Sequence, residues 1–153
     1  MEPASAIIGV ASGAASLAVL ALQVSRFMIG MKDAFDHIEI RLIDLVSLCR
    51  TLEVAWKEIA NWASQQASHG EVSTAVLEQL QHCCETSKMV LEAVSKDFNQ
   101  VSSKGKKTWQ LGSKDKGRAV MHESNLREHG ASLRGQINSL HLLISTATLS
   151  VYP

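Results

Sequence analysis

No proline interrupts the chain between Pro3 and Pro153, so nothing in the interior deletes a helical hydrogen bond or forces a kink. Aromatic residues make up only 5% of the 153 residues, too few for the stacking platforms that read single-stranded nucleic acid. Neither charge is in excess: 15 Lys and Arg stand against 15 Asp and Glu, which leaves no global pull toward polyanions or acidic surfaces. Cysteine is sparse, and Cys49, Cys83 and Cys84 comprise a vicinal pair and an odd member. That pattern argues against the disulfide framework of a secreted domain and for a reducing compartment. Finally, no charged side chain lies between Glu2 and Arg26. The run is too long, and its leader too acidic, for a signal peptide.

What the chain has in abundance is apolar residues at alternating four and three spacing. Ile38, Leu42, Leu45, Cys49, Leu52, Trp56, Ile59 and Ala63 form one such stripe, the signature of an amphipathic helix with one buried face. Asp33 and Asp36 sit where they can cap its start, and Ser68 to Gly70 ends it. A second stripe runs through Ser73, Leu77, Leu80, Cys84, Ser87, Leu91, Val94, Phe98 and Val101, and a third through Leu126, Gly130, Leu133, Ile137, Leu140, Ile144 and Ala147. Between them, residues 102–118 are rich in Gly, Ser and Lys and lack periodicity, which is loop composition. In the uncharged opening run, Ile7, Val10, Ala14, Leu17, Ala21, Val24 and Met28 make a core seam. Ser5, Gly9, Ser12, Ser16, Gln23 and Arg26 share the opposite face, interrupted only by Val19. The expectation is one all-α domain over residues 1–153, a four-helix bundle with helices at about 3–29, 34–67, 73–101 and 119–149. A short extra helix is expected in the 108–120 connection.

The motifs that would announce an enzyme fail on chemistry. Residues 112–119, GSKDKGRA, imitate a phosphate loop, but Arg118 stands where Lys should be, Ala119 has no hydroxyl for magnesium and no strand precedes them. His82, Cys83 and Cys84 are adjacent on a helix and point apart, and His122-Glu123 has its next histidine at His129 rather than one turn on. No cofactor, metal or catalytic residue is expected. Two stretches remain. The 23 residues from Pro3 to Ser25 are uncharged and would make roughly 34 Å of helix, enough to cross a hydrocarbon core of about 30 Å. Their many Ala, Ser and Gly residues favour a bundle helix at rest. Ile7, Ile8, Gly9, Ser12, Gly13, Ser16, Leu17, Leu20 and Gln23 are its candidate membrane or self-association residues, with Gly9 and Gly13 in a G-x-x-x-G pair. Lys104, Lys106, Lys107, Lys114, Lys116 and Arg118, beside Trp109 and opposed only by Asp115, are candidate contacts for anionic lipid headgroups. The same cations would serve equally as a solvated loop, and no nucleic-acid partner is expected.

The order of segments is informative as well. The small-residue first helix running into Gln23, the stretch MKDAFDHIEIRLIDLVSLCRTLE and the later KKTWQLGSKDKGRAVMHESNLREHGASLRGQINSLHLLIS resemble the HeLo-like N-terminal domain of fungal STAND proteins, NLR-like receptors in which it precedes a NACHT-type NTPase module. The resemblance covers nearly the whole chain. It implies a non-enzymatic effector bundle of innate immunity and heterokaryon incompatibility, causing programmed cell death by oligomerisation and by exposure or insertion of the N-terminal helix, here Pro3 to Phe27, with membrane permeabilisation. It further implies a cytoplasmic protein recruited to the plasma membrane, with copies of itself and other helical signalling domains as partners. The alternative left open by the residues is a soluble adaptor that uses an outer helix face to hold a protein partner.

Overall fold

The computed structural model describes the backbone of residues 3–31, 39–68, 72–108 and 123–151, and the side chains of residues 5–30, 41–68, 72–100 and 125–146. Four helices account for nearly all of it: α1 (Pro3–Met31), α2 (Glu39–Gln66), α3 (Thr74–Thr108) and α4 (Glu123–Val151). The all-α bundle expected from the four stripes is what forms. Pro3 opens α1 at the position where a missing N–H costs nothing. At the end of α2, the Ser68 hydroxyl donates to the Gln65 carbonyl at 2.8 Å, satisfying one of the free acceptors of the last turn.

The α1 and α2 seams are buried at every position where side chains are described, from Ile7 to Met28 and from Leu42 to Ala63. On α4, Leu126, Leu133, Ile137 and Leu140 are buried and Ile144 is half-buried. Gly130 in this seam faces α2, where a Cβ would make an ordinary contact 3.8 Å from Leu45 Cδ2. Two details of the α3 stripe differ from the sequence reading. Ser73 is exposed and precedes the helix, its carbonyl accepting from the Leu77 N–H at 3.1 Å, so it acts as a helix start rather than a core position. Cys83 is buried while Cys84 is half-buried, because α3 packs against α1 on one flank and α4 on the other and its buried face is broader than one line of residues.

The boundary between α3 and the basic connection also differs. The loop expected from residue 102 begins later, since α3 continues to Thr108. Lys104, Lys106 and Lys107 therefore belong to the backbone of α3, where the good helix propensity of Lys offsets part of the roughly 1 kcal/mol that Gly105 costs relative to Ala. Residues 34–38, expected at the start of α2 together with the Asp33 and Asp36 caps, and residues 109–122, which include the expected extra turn, lie outside the described residues.

Contacts fix the arrangement. α1 packs on α2 and α3, and α4 packs on α2 and α3, while α1–α4 and α2–α3 barely touch among the described residues, so these last two pairs are the diagonals. Gly13 faces Cys84, and Leu20 shares a groove with Glu92 and Ser95, which makes α1 and α3 parallel. Ser87 meets Gln136 and Asp97 meets His129, which makes α3 and α4 antiparallel. The seven residues 32–38 span at most about 25 Å, less than the length of α1, so α2 returns antiparallel to it. The equally short link 67–73 still suffices to cross a bundle diagonal of about 14 Å.

Polar ties then set the register of α4. Buried Ser87 donates through Oγ to Gln136 Oε1 at 2.8 Å, His129 Nε2 lies 2.7 Å from Asp97 Oδ2, and Arg134 bonds Asp44. Trp56, the largest buried side chain among the described residues, is fully enclosed, yet its indole N–H finds no acceptor among them. Its contribution is thus shape and apolar area, set against an unpaired donor. Trp56→Ala should lose about 3–5 kcal/mol in urea unfolding. Trp56→Phe should lose clearly less than that, because it removes a donor whose desolvation is uncompensated.

Candidate membrane and self-association surface

From Ser5 to Ser25 α1 carries no charge on either face, and the bundle uses one face. Ser5, Ile8, Gly9, Ser12, Ala15, Ser16, Val19, Gln23 and Arg26 are exposed along the other. Ile8 and Val19 keep 60% and 54% of their surface in water. The stretch Ser5–Gly30 contains an 18-residue window with a mean hydropathy of 2.0 and is long and apolar enough to cross a membrane. Core helices of soluble bundles meet the same criterion, and the α1 seam is indeed core.

The sequence-derived candidates divide accordingly. Ile8, Gly9, Ser12, Ser16 and Gln23 come together on the exposed face, Gly13 and Leu20 are half-buried on its flanks, and Ile7 and Leu17 are core residues. Ile7 and Leu17 therefore hold α1 in the bundle and reach a membrane or partner only if α1 leaves it. Gly9 has no atom within 4 Å of a would-be Cβ, and Gly13 has only Cys84 Sγ at 3.5 Å, an ordinary contact. Neither glycine is required by the fold of one copy. Lys104, Lys106 and Lys107 belong to the backbone of α3, with side chains outside the described set, and Trp109, Lys114, Lys116 and Arg118 lie outside the described residues.

Beside this face, Leu20 of α1 and Glu92, Ser95, Lys96, Asn99 and Gln100 of α3 line an open groove of about 690 Å³. Its one acid and one base give it no preference for a charged ligand. Among the described residues no group of three His, Cys, Asp or Glu side chains converges on a metal position. The phosphate-loop imitation at residues 112–119 lies outside them. Sequence reasoning did not find the Asp97–His129 contact, since neither residue belongs to a periodic stripe; for Ser87, the signal was a hydroxyl inside an apolar seam.

The thiols are protected rather than activated. Burial pushes the Cys49 thiol up to about 12, and burial, with the charge Cys83 would carry if ionised and the Glu85 carboxylate nearby, pushes Cys84 up to about 11; burial raises Cys83 as well. These are poor nucleophiles at neutral pH. No family model matches the chain, and neither a curated protein nor a solved structure does.

Two outcomes follow from this geometry. Free thiols ionise near 9.0 in the unfolded chain but hold their protons higher in the fold. The unfolded state therefore releases protons first, so the thiols' contribution to stability should be level below pH 9 and fall between pH 9 and 12 by up to about 1.4 kcal/mol per pH unit per thiol. Chemical denaturation across that range, with Cys49→Ala as a shallower comparison, measures it. Gly9→Ala should raise the stability of a single copy by about 0.5–1 kcal/mol in the same assay, since the added methyl meets nothing and favours the helix.

Proposed function

We propose that this chain is a non-enzymatic signalling domain, the effector end of a fungal STAND-type immune receptor, which brings about cell death through self-association and membrane engagement of α1. The observation that carries the reading is the exposed, uncharged face of α1 from Ser5 to Gln23, on a helix whose other face is a complete apolar seam. A surface helix ordinarily sets charge against solvent. Here the solvent side is Ser, Gly, Ala, Ile and Val, a composition suited to close helix–helix approach or to lipid. The segment order that resembles the HeLo-like domains supports the same reading. So do the guarded thiols, which are poor nucleophiles.

In this reading the resting protein is cytoplasmic, with the α1 seam packed in the bundle. Activation moves the protein to the plasma membrane, where the cations from Lys104 to Arg118 meet anionic headgroups, each contributing about 1 kcal/mol, and α1 exchanges bundle contacts for lipid or for α1 of other copies. Hydrocarbon tails are as apolar as the leucines they replace, so two packings a few kcal/mol apart suffice for a switch. A soluble adaptor that binds a protein partner through the same face is the competing reading.

Dye release from phosphatidylserine-containing vesicles separates the two. The intact chain should permeabilise them, and Ile8→Lys combined with Ser12→Lys, which leaves the core untouched, should abolish release without changing helicity. Equal leakage from both proteins, or no vesicle binding by the intact chain alongside a defined soluble oligomer, would reject membrane engagement.

A further inference from the structure

A second face of the bundle is unusually apolar, and it lies on α2. Ile43, Val46, Ser47, Arg50, Thr51 and Val54 line a shallow open groove along its outer side. Ile43 and Val54 are 50% and 55% exposed, eleven residues and so three turns apart. Arg50, exposed midway, makes no ion pair among the described residues. The diagonally opposite helix presents the complement. Met89 stands at the outermost position of α3, 69% exposed, with exposed Glu85 one turn before it, likewise unpaired among the described residues.

We infer that the α2 groove of one copy receives the Glu85–Met89 ridge on α3 of a second copy. Three features favour this occupant. The charges match, Arg50 against Glu85, and both are exposed with no ion pair among the described residues. The spacing matches as well. With α2 and α3 antiparallel, as they are within one copy, Glu85 set on Arg50 carries Met89 one turn back, about 6 Å, onto Val46 and toward Ile43. An adaptable thioether suits so shallow a groove. Lastly, α2 and α3 are diagonal partners that barely touch, so groove and ridge point in opposite directions from the bundle. A contact between them is head-to-tail, leaves a free groove at one end and a free ridge at the other, and extends by simple repetition. This inference supplies a partner and a geometry for the self-association proposed above, on a face separate from α1.

Charge reversal on the full-length chain tests it, with sedimentation and light scattering over a concentration series. The native chain should assemble progressively beyond a dimer, more weakly in high salt. Arg50→Glu and Glu85→Arg should each shift assembly to roughly tenfold higher concentration or more, with thermal unfolding unchanged because both positions are exposed. Mixing the two variants should restore assembly, since each then meets the opposite charge on the other. A native chain that stays monomeric throughout, variants that assemble normally, or a mixture that stays apart would overturn the inference. Assembly that survives both reversals but is lost with Ile8→Lys and Ser12→Lys would overturn it while leaving the α1 reading intact. Vesicle leakage that fails while the charge-swap pattern holds would do the reverse.

Discussion

Everything else in this bundle rests on the choice that α1 makes between two faces that, as far as Ser25, both lack charge. Burying Ile7, Val10, Leu17, Val24 and Met28 removes five large apolar side chains from water, worth roughly 7–15 kcal/mol before the entropy of ordering is counted. The opposite face offers only Ile8, Val19 and Ile29 as exposed large apolar side chains, among small and polar residues, so the seam wins by a wide margin. Because α1 settles that way, its Ser and Gly side is left in water, and a surface that would be unremarkable inside a protein becomes an exposed one.

The position of α1 also shapes its surroundings. It lies antiparallel to α2 and parallel to α3, so the link from α2 to α3 crosses the bundle and α4 fills the remaining corner. There α4 is fixed in register by Gln136 on Ser87, His129 on Asp97 and Arg134 on Asp44. Apolar seams tolerate sliding, whereas directional bonds do not; a buried Ser87 hydroxyl without Gln136 would stand as an unpaired donor. The polar ties described between helices thus give a single alignment to a core that is otherwise greasy and adaptable. By placing α2 and α3 on opposite corners, the same topology turns Arg50 and Met89 away from each other.

The cysteines and glycines fit a protein whose chemistry is packing. Cys49 and Cys83 serve as small apolar residues, and burial keeps their thiols neutral. Gly9 and Gly13 lower helix propensity without being required by any close approach within one copy. A helix that carries such a cost, at a position open to solvent, is suited to an approach by something outside the bundle.

The fold class was readable from the sequence because four-three periodicity reports directly which residues one helix buries: the described positions of the α1 and α2 seams are buried as the spacing implied. Helix ends were less legible, since residues 102–108 have the Ser, Gly and Lys composition of a loop, yet α3 continues through them to Thr108. The candidate residues of α1 were legible as a set but not by side. Ile7 and Ile8 are equivalent as letters, and only the neighbouring α2 and α3 decide that Ile7 is enclosed and Ile8 is in water. Hidden altogether were the Asp97–His129 pair and the opposition of Arg50 to Met89. A sequence determines which faces are apolar, because periodicity is local. Which of those faces find partners depends on how the helices are arranged in space, and that is settled by long-range packing alone.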